Sequence, residues 1–322
     1  MKLGVFAVLF SEKSLEEALD HIKASGLSTV EIGAGGYIGD AHCKPAELLA
    51  DEDKLKAFKE AFDSRGIKIS ALSSHGNPLH PNKETAAEHH HVFQDAVRLA
   101  SKLGVEYVVN FSGCPGESEH SLRPVWITCP WPDDFSEIVN WQWSEKVIPY
   151  WKGQNEFLKE HNVRVAIEPH PGFVVYNNET LLRLRAECGD HIGGNFDPSH
   201  YFWQGMDPVA CIKELGEANA LYHFHAKDTK IDPQNSGLNG VLDTKSYSQM
   251  SKRSWIFRTV GYGHGEETWK DIISALQLVG YDGAISIEHE DGLMSVDEGF
   301  SKAIDFLQDK LIQKGATNLW WA

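Results

Sequence analysis

The sequence lacks any apolar stretch approaching the ~20 residues a membrane helix needs, so no membrane partner is expected. It is short of positive charge: 30 Lys and Arg stand against 46 Asp and Glu, a formal charge of −16. That balance argues against nucleic acid, where basic surface supplies most of the affinity. Cysteine is scarce and unpaired. The five thiols (Cys43, Cys114, Cys129, Cys188, Cys211) are widely spaced, odd in number and without a C-x-x-C pair. They read as reduced side chains, which points to a cytoplasmic protein. The run Met1–Phe10 is too short, and too soon followed by Ser11, Glu12 and Lys13, to read as a signal peptide. No G-x-G-x-x-G follows the first predicted strand, which disfavours a dinucleotide fold.

What is present is 322 residues, 42% hydrophobic and 24% charged, the balance of a globular chain. Such a length suits two ordinary domains or one large α/β barrel. Strand-like runs fall near Leu3–Leu9, Thr29–Gly33, Ile67–Ser73, Glu106–Phe111, Arg164–Glu168, Gly193–Asp197, Leu221–Lys227 and Ala284–Glu288. Helix-length segments alternate with them, at 15–23 after a Ser14-x-x-Glu17 capping box, then Ala46–Arg65, Ala86–Leu103, Ser144–Glu160, Glu179–Cys188, Pro208–Glu214, Glu266–Leu278 and Val296–Ile312. Eight strand–helix units with no antiparallel run predict an α/β (β/α)₈ barrel, a single domain over 1–315 with a tail at 316–322.

Two connections are long, Gly113 to about Asn140 after the fourth strand and Thr229 to about Gly265 after the seventh. Both leave C-terminal strand ends, the face where barrel enzymes keep their sites. Trp126, Trp131, Trp141 and Trp143 mark the first, and Trp255, Arg258 and Gly261-Tyr-Gly-His-Gly265 the second. A lid and an oligomer contact are equally good readings of these tryptophans. The tail Asn318-Leu-Trp-Trp-Ala322 reads either as a packed end or as a contact between copies in a homo-oligomer.

Strand parity carries the chemistry. A barrel strand sends alternate side chains inward. Outward Val163, Val165 and Ile167 leave Ala166 and Glu168 inward; outward Ile285 and Ile287 leave Ser286 and Glu288 inward. Tyr222, Phe224 and Ala226 are expected outside, with His223, His225 and Lys227 inside, and Asn195 and Asp197 share the inward parity of Gly193. Four successive strands thus send Glu168, Asp197, His225 and Glu288 to one end of the barrel. Buried carboxylates are costly unless paired or metal-bound, so this ring calls for a cation. Three carboxylates and one imidazole suit a single divalent ion, Mn²⁺ first, with Mg²⁺, Co²⁺ or Zn²⁺ as alternatives.

Other polar residues share that face. His200 can touch substrate or metal, or be a loop histidine; His75 and Asn110 can bind sugar hydroxyls or cap turns. His170 and Lys227 lie one inward step beyond Glu168 and His225, and Arg258 is a substrate clamp only if its long loop folds inward. Glu31 suits a supporting position, Asp228 has the parity to orient a neighbour, and His223 lies a layer deeper. His89-His-His91 falls on a helix, pointing three ways, and cannot chelate as a set. Gly33-Ala-Gly-Gly36 reads as a tight turn more readily than as a phosphate loop.

Ala166-Ile-Glu-Pro-His170, Asn195-Phe-Asp-Pro-Ser-His200, His223-Phe-His-Ala-Lys-Asp228 and Gly280-Tyr-Asp-Gly-Ala-Ile-Ser-Ile-Glu-His-Glu290 resemble the xylose-isomerase-like barrels, the sugar-phosphate isomerase/epimerase group. The resemblance spans the whole barrel. By likeness to the ketose 3-epimerases it implies one metal on Glu168, Asp197, His225 and Glu288, a substrate contact at His200, and the two glutamates as acid–base pair. A ketose or keto-sugar would react through a metal-stabilised enediolate. The sequence departs where those epimerases carry a short Glu-x-Asn-Arg: here Ala226-Lys-Asp-Thr-Lys230 opens the long insertion. Asn110 stands where the trinuclear endonucleases of the group would have a further histidine. A lyase or dehydratase acting on a 3-keto glycoside or inositol derivative is the nearest rival, and a non-catalytic sugar-binding barrel a distant one.

Overall fold

The computed structural model describes residues 1–315 and Trp321; the rest of the tail at 316–322, and with it the reading of its tryptophan pair, lies outside the described residues. Eight parallel strands close into a barrel: β1 (Lys2–Phe6), β2 (Thr29–Gly33), β3 (Lys68–Ser73), β4 (Tyr107–Asn110), β5 (Arg164–Ile167), β6 (Ile192–Phe196) and β7 (Leu221–Ala226). A separate antiparallel hairpin, β8 (Asp228–Ile231) with β9 (Trp255–Arg258), precedes β10 (Ala284–Ile287), which closes the ring between β7 and β1. The expected (β/α)₈ barrel is therefore the fold. Among the described residues no helix is long and apolar enough to cross a membrane.

The alternation read from the sequence builds two separate cores. Outward Val165, Ile167, Phe224, Ile285 and Ile287 pack against Leu181, Ile212 and Ile272 of the surrounding helices. Inside the barrel, towards the N-terminal strand ends, Ala71, Val109 and Ala166 pack with Tyr222 and Tyr107. Tyr222 was expected on the outer face and is found in this inner plug. The β6–β7 pairing slips by one residue between Gly194 and Asn195, so simple alternation fails here. The ring lies over Gly193, where any Cβ would meet it at 2.4 Å.

Several local boundaries differ from the periodicity for identifiable reasons. β1 ends at Phe6, and Ala7–Phe10 turns once as a 3-10 helix. The apolar run there does not alternate, and the turn drops Phe10 between His21 and Phe300, at 5.0 and 5.2 Å. The helix expected at Ala46–Arg65 breaks at Asp51, whose carboxylate caps a new start by accepting from Asp53 and Lys54. The helix expected from Ser144 begins at Asp133 and runs through a π-turn at Gln142–Val147 to His161, so the first insertion is shorter than read. The Ser14–Glu17 capping box forms as expected.

Candidate metal centre

The C-terminal mouth gathers the four residues that parity brought together. Glu168, Asp197, His225 and Glu288 each offer a donor atom, all within 4.8 Å of one another. His225 stands on β7, and the three carboxylates each follow the last residue of a strand, β5, β6 and β10. Their backbones are fixed by the pairing that sets Ser286 opposite His225.

The orientation of His225 decides what the cluster can hold. Its Nε2 faces both Glu31 oxygens, at 2.9 and 3.0 Å, so the ring donates its proton there. Glu31 is itself fully buried and held by hydroxyls of Ser73 at 2.5 Å and Ser286 at 2.7 Å. Burial opposes its charge, but His225 and His223 outweigh that and bring its pKa to about 2. A carboxylate fixing one imidazole nitrogen leaves the other as a lone-pair donor, the usual support for a metal-bound histidine. His225 Nδ1 lies 3.3 Å from Glu168 Oε2 and 2.9 Å from Glu288 Oε2. Neither Nδ1 nor Glu288 Oε2 has a hydrogen-bond partner, although both are buried. Two such atoms 2.9 Å apart can share a proton or, in its place, a cation.

Charge points the same way. Three buried carboxylates, Glu31, Glu168 and Asp197, and the largely covered Glu288 face one buried ammonium, Lys227. Burial raises Asp197 to about 6, with Glu288 and Glu168 adding repulsion that His200 and Lys227 only partly offset. For Glu168, the neighbouring His200, His225 and His75 overcome burial and hold the carboxyl well below its ordinary range. Lys227 and His225 do the same for Glu288. Burial opposes a proton on His225, yet Glu31 and Glu288 push its pKa well above the ordinary value. The pocket is built for positive charge.

Around this core stand most of the expected contacts. His75 Nε2 lies 3.0 Å from Glu168 Oε2, and His200 Nε2 lies 3.2 Å from both Glu168 and Asp197. Lys227 Nζ reaches Glu288 at 3.1 Å and Glu290 at 2.6 Å. His170 packs on His200 at 4.1 Å, and burial lowers its pKa to about 3. Asn110 accepts from the Gly76 and Phe111 amides at 2.9 and 2.8 Å, while its own buried Nδ2 has no partner. His75 Nδ1 is likewise unpartnered. His223 sits below, 3.0 Å from Asn195 Oδ1, and burial brings its pKa to about 4.

Arg258 is not brought in. The segment read as loop contains β9, and its alternation turns Phe257 towards His200, at 5.7 Å, and Arg258 away. Arg258 instead pairs with Asp291 at 2.9 Å. Asp228 orients more than one neighbour: its carboxylate accepts from the Gly261, Gly263 and His264 amides and from Trp269 Nε1, fastening the far arm of the insertion. His89 accepts from the Asn77 amide at 2.9 Å, away from the carboxylates. The Gly33–Gly36 segment is a tight turn, and at Gly36, with φ +78°, a Cβ would strike the His75 carbonyl. Asn195, which donates to Glu168 at 2.9 Å, and Ser199, whose amide and hydroxyl both reach Asp197 at 2.9 Å, were not singled out from the sequence. Asn195 shares the inward parity of Asp197, and that signal was available.

A closed parallel barrel with an ionisable cluster at its C-terminal mouth has the layout that barrel enzymes use. The match to the xylose isomerase-like TIM barrel model covers residues 19–310, and the chain belongs to that family. It is 35% identical over 316 residues to the uncharacterized protein YfiH of Bacillus subtilis (strain 168), covering 97% of this chain and 100% of that one. Among solved structures it resembles IolI with a bound zinc atom, at 19% identity and TM-score 0.66, over 97% and 98% of the two chains. A D-tagatose 3-epimerase-like protein matches at 20% identity and TM-score 0.63, over 96% and 98%.

Proposed function

We propose that the protein is a divalent-cation-dependent sugar isomerase or epimerase acting on a ketose or keto-sugar derivative. One observation carries the reading: two glutamates, the buried Glu168 and the largely covered Glu288, flank the single nitrogen of His225 that Glu31 leaves free, at 3.3 and 2.9 Å. A binding module has no need of two carboxylates across one donor. With Asp197 they make the set that would hold the ion, and the charge and the unpartnered acceptors above support the fit.

The cation, when bound, supplies Lewis-acid polarisation of a carbonyl and its neighbouring hydroxyl, acidifying the C–H between them. One glutamate takes that proton and the other returns one, to the opposite face of the same carbon for epimerisation or to the adjacent carbon for isomerisation. Glu168 is held by three side-chain donors, His75, Asn195 and His200, which fix its plane. Glu288 is held on one oxygen by Lys227, while its other oxygen, Oε2, turns to His225 Nδ1 where the ion would sit. Carboxylates held this low are weak bases, so the reaction depends on strong stabilisation of the charge formed on the substrate. The unpartnered Asn110 Nδ2 and His75 Nδ1 can bind substrate oxygens.

The test is solvent exchange. Protein loaded with Mn²⁺, Co²⁺ or Zn²⁺ is incubated in D₂O with free ketoses, ketose phosphates and 3-keto glycosides. Deuterium is expected at a carbon next to a carbonyl, and Glu168→Gln and Glu288→Gln are each expected to slow its incorporation by roughly 10²–10⁴. Exchange retained in both variants would remove the two-carboxylate scheme. Release of water or an aglycone would convert the assignment to a lyase, which uses the same first proton transfer.

A further inference from the structure

The mouth of the barrel opens into two cavities that share Glu290 as a wall. One, of about 690 Å³, is bounded by Phe6, Tyr37, Glu288 and Glu290. The other, of about 420 Å³, is bounded by His170, Tyr247, Phe257 and Glu290. Each falls in the range of roughly 300–1,000 Å³ that receives an entire small ligand. A free six-carbon ketose at Glu288 would leave the second cavity empty.

The second cavity belongs to the insertion after β7, and its construction is specific. Phe257 carries Lys227 Nζ over its ring at 4.3 Å, and Tyr247 stacks on Phe257 at 5.7 Å with planes 19° apart. Tyr247 is 59% exposed, yet it is clamped from beneath. The Arg253 guanidinium lies 4.3 Å from its ring and 4.7 Å from that of Trp255. Arg253 is 2% exposed and donates to the Trp255 carbonyl at 3.1 Å. Trp255 stacks in turn on Trp203, at 4.7 Å and 7°. A loose surface tyrosine needs no such support. A pre-organised aromatic face beside a catalytic mouth suits a ligand ring, because the ordering cost is already met. Aromatic walls with a few polar groups, here His170 and Glu290, match the apolar faces and hydroxyl rim of a sugar ring.

We infer that the substrate is a two-ring carbohydrate, its keto-bearing part at Glu288 and a second sugar ring on the Tyr247–Phe257 face. The placement of the reacting part rests on the proposed function; the second ring rests on the hairpin alone.

The experiment measures binding and exchange on the same Mn²⁺-loaded protein. Calorimetry compares D-fructose with three glucosyl-fructoses of different linkage: turanose, maltulose and isomaltulose. At least one is expected to bind tenfold or more tightly than D-fructose. Tyr247→Ser, at an exposed position that leaves the core intact, and Phe257→Ala are each expected to bring that ratio to within about twofold of unity. No disaccharide binding more tightly than D-fructose, or a preference surviving in Tyr247→Ser, overturns the inference. Exchange in D₂O separates the two ideas. A preference without exchange for any sugar keeps the two-ring site and removes the isomerase assignment. Exchange with equal affinities keeps that assignment and removes the two-ring site.

Discussion

The two ends of the barrel interior are built from the same strands and could hardly differ more. On β5, Ala166 joins the apolar plug while Glu168, two residues on, enters the cluster. On β4, Val109 belongs to the plug, and Asn110 at the strand end accepts from the Gly76 amide. The lower layer is apolar and aromatic, filled by Tyr107 and Tyr222. The upper layer buries Glu31, Glu168 and Asp197, with Glu288 largely covered beside them, against one lysine. A single inward step thus separates an apolar layer that holds the barrel closed from the charged layer of the proposed site. Conserving the first is a matter of packing, and altering the second changes what the protein binds.

The sharpest way to break that division is through the two glutamates. Glu168→Gln and Glu288→Gln are each expected to slow solvent exchange by roughly 10²–10⁴, the span of general acid–base catalysis. The converse lies in the plug: Tyr222→Ala is expected to cost about 3–5 kcal/mol in denaturant unfolding, as other buried large-to-small changes do. Its cation affinity, by calorimetry, should stay within about threefold of the parent. A large loss of affinity there would mean that the two layers are not independent. Glu31→Gln sharpens the boundary, because Glu31 touches the cluster only through His225. Cation affinity is expected to fall by about 10–100-fold, the usual effect of losing such support. The smallest effect belongs to Arg258→Gln, expected to change KM by less than about twofold, since its guanidinium is engaged with Asp291.

Much of this contrast was legible in the sequence because period-two alternation holds along most strands. Val165 and Ile167 outward imply Glu168 inward, and the same parity delivers His225 and Glu288 without any knowledge of pairing. It fails where pairing itself is irregular. Tyr222 reads as an outer residue, and only the slipped β6–β7 register places it inside. Arg258 failed for a related reason: a four-residue strand within the long connection from Thr229 to about Gly265 carries no signal apart from its partner, so Phe257 could not be preferred over its charged neighbour. The Tyr247–Arg253–Trp255 stack is a tertiary arrangement of residues that look like loop. Asn195 and Ser199, by contrast, were within reach, one by parity and one by adjacency to Asp197.

The central claim is that Glu168, Asp197, His225 and Glu288 form a site for one divalent ion. Chelator-treated protein titrated with Co²⁺, read by calorimetry and by visible absorption of the bound ion, tests it most directly. One ion per chain is predicted, with binding lost or weakened at least tenfold in both His225→Ala and Asp197→Asn. No binding, a stoichiometry above one, or one ion bound equally well by both variants would contradict it.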